Sequence, residues 1–573
     1  MMENNHNEDK LMVHCYLFEA KSIQSYLFST DKLKEIVGAS EIVEYITSEA
    51  GLLDGVIERL KVSVDFSRKG GGGFAVFGNS WDVRELARYW SILLVRYAPG
   101  LNWVQGIGIG ENELEAYQNA RKEQQADANR LSARLPQGNP FTLRFSRTGE
   151  PAAKKEYKET LDESTARKRL GFVYDESGAE KRFYEGEWLA RRFDPDSHYQ
   201  QWPVNLTPEE GDDNRNFPFV DDKKWIALVH IDGNGFGQLL IALGRHAKDN
   251  PAQYSGGQFI ETFRSISYAI AKATEKAAQH AVKEVLEPRK TEVYLTDERE
   301  SSVLLYPARP VVLGGDDMTI IVRADLALAF SESYIKAFEA ESEKALQEVV
   351  EQVGVSFKLP GYLTACGGIA YAKATYPFYR LHEEVESLCG EAKASSRSVL
   401  EKAVHSGDGV IPSSLKWSRT TASLGENEVF SSRKQCFDSD NIDNNTTETG
   451  QIVTAFDAWT YFLGRGGGKI DGMEIREAAL LEDLKALLSS LDDGVSVNGL
   501  RSVYDLLLCE PDQAERQYQR WCDVIASRDK APPCFDAMKK LVGDGYLQKE
   551  NVRGLPLVDL LAINAVTKRE EEA

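Results

Sequence analysis

Cysteine and histidine are scarce in this sequence, and the few that occur do not cluster. Its 573 residues include seven cysteines and eight histidines. No two cysteines form a Cys-x-x-Cys pair, and no His-Asp dipeptide occurs. A scattered, odd-numbered set of cysteines in a large chain predicts reduced thiols in a cytoplasmic protein and no bound zinc.

Basic residues are also outnumbered, and long apolar runs are missing. Lys and Arg total 68 against 89 Asp and Glu, a net charge of −21. This argues against a protein that wraps nucleic acid with a uniformly basic surface, but it leaves room for a local basic groove. Uncharged stretches such as Leu359–Ala372 are too short to span a bilayer, and no signal-peptide pattern occurs. The sequence therefore predicts no membrane segment.

What the sequence does contain is an ordered series of strand and helix patterns in its middle. Short apolar runs and helical spacings alternate as strand, helix, hairpin, helix, strand. This order is that of the β-α-β-β-α-β ferredoxin-like arrangement, an α+β fold. The predicted elements are, in order, Trp225–Ile231, a helix through Phe259 and Ile270, the hairpin Arg309–Val322, Ala324–Val353 and Tyr362–Ala372, followed by a helix over Phe378–Ser396.

A weaker copy of the same order precedes it. Strand candidates lie at His14–Phe18 and Trp103–Ile109, and a glycine-rich hairpin lies between them. If the copies correspond, Gly72 and Gly73 occupy the positions of the hairpin acids of the later copy, and Glu19 lies opposite the acid that follows its first strand. The alternative is that glycine-rich turns align by chance.

These patterns divide the chain into four parts. Residues 1–144 form the first domain, 145–222 a polar and irregular linker, 223–405 the second domain, and 406–573 a long loop followed by a helical C-terminal domain. The loop is predicted over Ser414–Gly450 because that stretch is rich in Ser, Thr, Asn and Asp. The C-terminal helices are predicted over Leu480–Leu491, Leu500–Leu508, Ala514–Ser527 and Phe535–Val542.

Three carboxylates in the second domain carry the strongest chemical signal. Asp316 and Asp317 follow Gly314-Gly315 at the hairpin, and Asp232 ends the first strand. The first strand and the hairpin are neighbours in a ferredoxin-like sheet, so these acids should meet at one edge. Hard oxygen ligands suit Mg²⁺ or Mn²⁺, and such metals can activate a 3′-hydroxyl and stabilise a leaving pyrophosphate. The alternative is an ordinary turn, because Gly and Asp are common turn residues.

These motifs resemble a known family. The Gly314–Asp317 turn, the segment Asp232-Gly-Asn-Gly-Phe-Gly237 and the later Gly367–Ala370 resemble the palm domain of the large subunit of type III CRISPR effector complexes. The N-terminal runs Lys21–Thr30 and Lys32–Ser40 resemble the first palm domain of that family. The resemblance covers residues 10–400 in order.

The resemblance implies an enzyme. In this family one palm polymerises ATP into cyclic oligoadenylate when target RNA is bound, and the other palm holds a second ATP. It implies catalytic and metal roles for Asp232, Asp316 and Asp317, and a non-catalytic palm around Gly71–Phe74. The implied nucleotide-binding residues are Gly233, Asn234, Phe236, Gly237, Gly314, Gly315 and Lys393. By itself, Lys393 is either a phosphate contact or a solvated helix lysine.

The sequence departs from the family in three places. Asn234 stands where the family usually has a second acid. The N-terminal His-Asp nuclease domain is missing from the chain, so no DNase activity is expected. Ser146–Ala152 and Ala166–Arg169 resemble a zinc ribbon that has lost its cysteines. The C-terminal helices resemble the domain that meets small helical subunits, so partner subunits with guide and target RNA are expected.

Two alternatives to this function stay open at the sequence level. A diguanylate cyclase or another nucleotide cyclase would use the same acids. A scaffold subunit of a guide-RNA complex would need little activity, although the intact acid set favours the enzyme.

Overall fold

The computed structural model describes most of the chain up to residue 420 and shorter segments beyond it. The described residues are 12–129, 141–156, 159–170, 172–174, 180–182, 188–207, 215–254, 257–294, 302–353, 357–403, 411–420, 453–454, 459–463, 469–470, 473–474, 479–490, 497–527, 548–549, 552–553 and 557–567. The chain is a mixed α+β protein, and two sheets dominate it.

The first sheet has four strands in the order β2-β3-β1-β4. Its central strand β1 pairs antiparallel with both neighbours. The strands are β1 (Val13–Lys21), β2 (Val64–Gly70), β3 (Gly73–Gly78) and β4 (Asn102–Gly110). The helices of this unit are α1 (Ile23–Leu27), α2 (Leu33–Thr47), α3 (Leu52–Leu60), α4 (Ser80–Tyr97) and α5 (Glu113–Ala128).

The segment between the two sheets is not as irregular as predicted. It contains the hairpins β5–β6 and β7–β8 and two short helices. The helix α6 packs tightly on the first unit, because a methyl group added at Gly38 would overlap the carbonyl of Lys168. These elements are β5 (Ala152–Glu156), β6 (Glu159–Asp162), α6 (Glu163–Leu170), β7 (Phe172–Tyr174), β8 (Glu180–Arg182) and α7 (Trp188–Phe193).

The second sheet repeats the arrangement of the first and then extends it. Its order is β12-β13-β9-β14, continued by β15, β17 and β20. The elements are β9 (Trp225–Gly233), α8 (Phe236–Asp249), α9 (Gln258–Ala281), β10 (Thr291–Tyr294), β11 (Ser302–Leu305), β12 (Ala308–Gly314), β13 (Asp317–Arg323), α10 (Ala327–Val353), β14 (Ala365–Lys373), α11 (Phe378–Ala403) and β15 (Ser413–Arg419).

Strand β9 is apolar from Trp225 to Val229 because both faces of the second sheet are covered there. Ala227, Val229 and Ile231 point to a core formed with α9 and α10. Ile226 and Leu228 point to the opposite face and join the core of the first unit. The alternation of side chains along a strand thus connects the two units through one continuous apolar layer.

The two sheets share a detailed register, which supports the predicted correspondence. In the first hairpin Gly70 pairs with Gly73, and in the second Gly314 pairs with Asp317. Each hairpin has one irregularity, at Ser67 and at Val311, three residues before its closing glycine. A shared bulge at the same offset is not expected from chance alignment of glycine-rich turns, because bulges are specific features of a strand pair.

The central strands agree as well. Glu19 pairs with Gly73 across β1 and β3, and Asp232 pairs with Asp317 across β9 and β13. The sequence prediction that Glu19 lies at the position of Asp232 is therefore confirmed.

The loop predicted from Ser414 was wrong at its start. Residues Ser413–Arg419 form β15, which pairs in parallel with β14. Leu415 and Trp417 alternate with polar residues and are fully buried, a period-2 signal that the polar composition of the stretch obscured. The remainder of the predicted loop lies outside the described residues.

The C-terminal part contains helices, but it also adds strands to the second sheet. Leu484, Leu500, Tyr518 and Leu560 belong to the same apolar core as the second sheet. The prediction for Phe535–Val542 lies outside the described residues. The elements are β16 (Val453–Thr454), β17 (Tyr461–Leu463), β18 (Lys469–Ile470), β19 (Met473–Glu474), β20 (Ala479–Leu480), α12 (Leu481–Ser490), α13 (Val497–Cys509), α14 (Pro511–Ala526), β21 (Gln548–Lys549), β22 (Val552–Arg553) and α15 (Leu557–Thr567).

None of the helices in the described part of the chain is long and apolar enough to cross a membrane.

Candidate functional site

The acidic hairpin is a two-residue turn, Gly315-Asp316, closed by the pair of Gly314 and Asp317. Gly314 is needed for close packing, and Gly315 is not. A methyl group added at Gly314 would overlap Oδ1 of Asp317, whereas one added at Gly315 would meet only the ring of Phe236, at 3.9 Å. The Asp317 carboxylate therefore occupies the space that a side chain at Gly314 would fill.

Asp232 lies directly beside the hairpin at the end of β9. The backbone N–H of Gly233 donates to the carbonyl of Asp316 at 2.9 Å. A Cβ at Gly233 would lie 2.8 Å from the Cβ of Asp316, so this glycine lets the strand end and the turn converge. The structure thus brings together Asp232, Asp316 and Asp317, as the sequence predicts.

Lys393 reaches this group from α11. Its Nζ lies 2.5 Å from Oδ2 of Asp232 and donates to the carbonyl of Gly233 at 3.3 Å. About a third of the Asp232 side chain is exposed, and the lysine is largely covered. Lys393 is therefore not a solvated helix lysine, because it pairs with one of the three clustered acids.

The electrostatics of the hairpin disfavour three ionised acids. Burial, together with the charges of Asp232 and Asp317, raises the pKa of Asp316 to about 7, against the pull of Lys393. Burial also raises the pKa of Asp317, with His230 acting in the opposite direction and Asp232 adding to the rise. Ionisation of all three acids beside a single lysine would leave an excess of negative charge at this edge, which a bound cation would relieve.

The arrangement suits a metal by its chemistry but does not form a closed ligand set. Within the described residues, no group of three or more His, Cys, Asp or Glu side chains is positioned to hold a metal ion. Asp232 is engaged by Lys393 instead. Carboxylate oxygens at one edge remain the donor type that Mg²⁺ or Mn²⁺ prefers. Metal binding at this edge thus stays a prediction.

The residue at the position of the family's second acid points away from the site. Asn234 is buried, and its side-chain amide donates to Thr364 Oγ1 at 3.1 Å and to Cys366 Sγ at 3.2 Å. Its backbone N–H donates to the carbonyl of Thr364 at 2.7 Å. Asn234 therefore anchors the loop after Asp232 to the neighbouring strand β14.

The remaining predicted nucleotide-binding residues lie at the start of α8. Gly235 takes a left-handed conformation with φ of 86° as the residue before the helix. Phe236 follows and faces the turn at Gly315, while Gly237 is exposed and open to solvent. An aromatic ring next to an acidic turn offers a surface on which a nucleotide base can stack.

The glycine hairpin of the first unit meets the acidic hairpin of the second. A Cβ built on Gly71 would lie 3.6 Å from the Cα of Gly314 and 3.7 Å from the N of Gly315. Gly71 and Gly72 have φ of 58° and 72°, which glycine adopts at no steric cost. A cavity of about 270 Å³ adjoins the contact. Residues from both units line it, among them Glu19, Lys21, Gln24, Glu44, Gly314 and Asp317.

Two residues that sequence reasoning missed hold the backbone of the acidic hairpin. Thr274 Oγ1 on α9 donates to the carbonyl of Gly315 at 2.8 Å. Arg192 Nη1 on α7 donates to the carbonyl of Leu313 at 2.6 Å. They lie 41 and 121 residues from their partners, and no local pattern marks either one.

Comparison with known families agrees with this geometry. Residues 225–400 match the model described as Cas10/Cmr2, second palm domain. The chain is Cas10-like in this palm. The match spans β9 through most of α11 and thus includes the three acids and Lys393 of the Cas10-like palm. The resemblance stated from the sequence is confirmed for the second palm domain.

The solved structures with similarity to this chain are distant. A Csm1–Csm4 cassette in complex with cA4 has 12% identity and a TM-score of 0.40, and covers 97% of this chain and 70% of that chain. The apo Csm1–Csm4 cassette has 12% identity and a TM-score of 0.42, and covers 99% of this chain and 72% of that chain. No curated protein gives a significant match.

Proposed function

We propose that this chain is the large subunit of a type III CRISPR effector complex and that its second unit polymerises ATP into cyclic oligoadenylate. The observation that carries the proposal is the pairing of Asp232 with Asp317, with Asp316 at the adjoining turn, in a Cas10-like palm. We interpret both sheets, with their shared register, as ferredoxin-like palms.

In this proposal the three carboxylates have the metal-binding role. Asp232, Asp316 and Asp317 would hold Mg²⁺ or Mn²⁺, which supplies activation of the attacking 3′-hydroxyl and stabilisation of the leaving pyrophosphate. Lys393 provides a positive charge for a phosphate group next to Asp232. The backbone at Gly314 and Gly315, which carries no side chains, lets a triphosphate approach the turn closely.

The first unit is proposed to hold the second ATP. Its hairpin has Gly72 and Gly73 at the positions of Asp316 and Asp317, so it lacks the acid pair. Residues of both units line the cavity beside the contact of the two hairpins, so an acceptor nucleotide bound there would lie next to the acids. Charge on the chain is strongly negative, so guide and target RNA are expected to be held mainly by partner subunits.

A scaffold role is the second candidate. It is favoured by the ion pair of Asp232 and Lys393, which leaves one of the three acids engaged by a lysine. A cyclase for another nucleotide would use the same acids and differs only in base choice.

The deciding experiment measures product formation from ATP and Mg²⁺ by the chain in its effector complex, with and without target RNA. Asp316→Ala/Asp317→Ala should lower turnover by at least about 100-fold, because electrostatic stabilisation at the reacting centre is usually the largest catalytic effect. Folding should survive, since the pKa of Asp316 shows that its ionised form is disfavoured. The matched control is Asp221→Ala/Asp222→Ala, which removes the same charge from adjacent acids before β9.

Three outcomes separate the candidates. Equal turnover in the wild type and the hairpin variant contradicts a catalytic role for these acids. No turnover from any nucleotide with target RNA present supports the scaffold. Turnover of GTP in preference to ATP supports the other cyclase.

A further inference from the structure

The acidic hairpin is held at a fixed position by an arginine that lies in neither unit. Arg192 belongs to α7, in the segment that joins the two sheets. Its Nη1 donates to both carboxylate oxygens of Glu44, at 3.0 and 3.2 Å, and to the carbonyl of Leu313 at 2.6 Å. Its Nε donates to Oε2 of Glu275 at 3.2 Å. One guanidinium thus contacts three separate elements.

Each of these partners belongs to a different part of the molecule. Glu44 lies on α2 of the first unit, Glu275 lies on α9 of the second unit, and Leu313 directly precedes Gly314 of the acidic turn. Strand β12 is the edge strand of its sheet in the described order. The carbonyl of Leu313 therefore finds its partner in Arg192, and the hairpin is tied to the first unit through Glu44.

The arginine itself is held in place. Its backbone carbonyl accepts a hydrogen bond from Gln279 Nε2 at 3.1 Å, and the same amide donates to Glu275 Oε1 at 3.3 Å. About a fifth of the Arg192 side chain and a seventh of the Glu44 side chain are exposed, so both charges are mostly removed from water. A planar guanidinium with several fixed donors suits such a junction, whereas a lysine offers a single point charge.

A second contact between an acid and an arginine lies beside this junction, and it is buried. Glu41, one turn before Glu44 on α2, is fully buried and lies 3.8 Å from Arg309 of β12. Helix α2 therefore contacts the strand of the acidic hairpin twice, once directly and once through Arg192. In each contact an acid of α2 pairs with an arginine. Arg309 is part of β12, and Arg192 donates to the backbone of β12 at Leu313.

We propose that Arg192 is a positioning residue, which fixes the acidic hairpin of the second unit against the glycine hairpin of the first by joining Glu44, Glu275 and the carbonyl of Leu313. The inference rests on the proposed function, because it assumes that a reaction takes place between the two hairpins. Arg192 contacts none of the three acids in this arrangement; it acts on the backbone that carries them. A misplacement of about 1 Å at a reacting centre can cost about 100-fold in rate.

The test compares the Arg192→Ala variant with the wild type, both assembled in the full effector complex. Turnover number should fall about 10- to 100-fold while KM for ATP changes by less than about threefold, because geometry changes and the nucleotide contacts do not. Amide hydrogen exchange over residues 311–318 should become faster. Arg192→Lys should restore part of the turnover number and part of the slow exchange, since lysine keeps the positive charge but lacks the planar set of donors of the guanidinium.

The matched control is Arg169→Ala. Arg169 also pairs with a buried acid of helix α2, since its Nε donates to Glu35 at 2.8 Å, and Glu35 has a second partner in Arg147. Its partners Glu35 and Glu159 lie on α2 and β6, outside the acidic hairpin. Its removal should speed exchange around residues 159–170 and leave exchange over 311–318 and the turnover number unchanged.

Two results would overturn the positioning role. One is wild-type exchange over 311–318 in Arg192→Ala, and the other is an equal loss of turnover in Arg169→Ala, which would indicate general loosening. If the wild type itself shows no turnover, the proposed function fails, but the exchange measurement still decides whether Arg192 fixes the hairpin.

Discussion

The ammonium nitrogen of Lys393 lies 2.5 Å from Oδ2 of Asp232. This ion pair joins the helix after the last strand of the second palm to the end of its first strand. It places a positive charge among three carboxylates, two of which have a raised pKa. If this edge binds Mg²⁺ and ATP as proposed, the ion pair should affect the two affinities differently.

Replacing Lys393 by Met should move these two affinities in opposite directions. Removing a positive charge close to three carboxylates should strengthen Mg²⁺ binding in the absence of nucleotide by about tenfold, by Coulomb's law at an intermediate dielectric. Binding of ATP should weaken, because its phosphates lose a nearby cation. Calorimetric titration with each ligand measures both effects.

The control is Lys416→Met, which breaks a comparable ion pair, 2.7 Å from Glu391, away from the acids. It should change neither affinity. If Lys393→Met weakens the binding of Mg²⁺ and the binding of ATP to the same degree, the lysine has a purely structural role and the prediction is wrong.

The two glycines of the acidic turn should respond differently to alanine. Gly314→Ala should reduce turnover by about tenfold or more, because its methyl group would displace the carboxylate of Asp317. Gly315→Ala should be tolerated, since its methyl group meets only Phe236 at 3.9 Å. Turnover from ATP and thermal unfolding of both variants are the measurements. A larger loss in Gly315→Ala would contradict this reading of the turn.

Restoring an acid at position 234 should destabilise the protein rather than improve catalysis. The Asn234 amide donates to Thr364 Oγ1, and the Thr364 hydroxyl already donates to the carbonyl of Ile411 at 2.6 Å. A carboxylate in Asn234→Asp would face acceptors in a buried setting. We expect the free energy of unfolding to fall by about 1–3 kcal/mol. Urea unfolding measures it, and unchanged stability together with higher turnover would refute the anchoring role.

Glu41 should make the protein less stable as the pH rises. Burial raises its pKa from 4.5 to about 7, although Arg309 opposes the rise. The unfolded chain releases this proton near pH 4.5 and the folded chain near pH 7, so ionisation favours the unfolded state. The free energy of unfolding should therefore decrease as the pH rises from about 4.5 to about 7, and the contribution of Glu41 should not change further above pH 7.

Glu41→Gln removes the titrating group and should flatten this part of the pH profile. Urea unfolding at several pH values in the same window provides the comparison. Glu58→Gln makes the same chemical change at an exposed site and should leave the profile as it is. A wild-type profile in Glu41→Gln would show that other groups cause the pH dependence.

Local sequence patterns were sufficient for the central strands and the acidic hairpin of the second unit and for the pairing of the acids. Period-2 and apolar runs mark β9, β13 and β14, and Gly-Gly-Asp-Asp marks the turn between two strands. Once the strand order was inferred, the neighbourhood of Asp232 and Asp317 followed from sheet geometry. The same logic predicted that Glu19 and Asp232 are equivalent, and the register confirms it.

Tertiary structure alone decided the surroundings of those acids. Lys393 is 160 residues from Gly233, Asn234 is 130 residues from Thr364, and Arg192 is 121 residues from Leu313. Such contacts depend on how helices and units pack, and side-chain spacing along the chain contains no record of that.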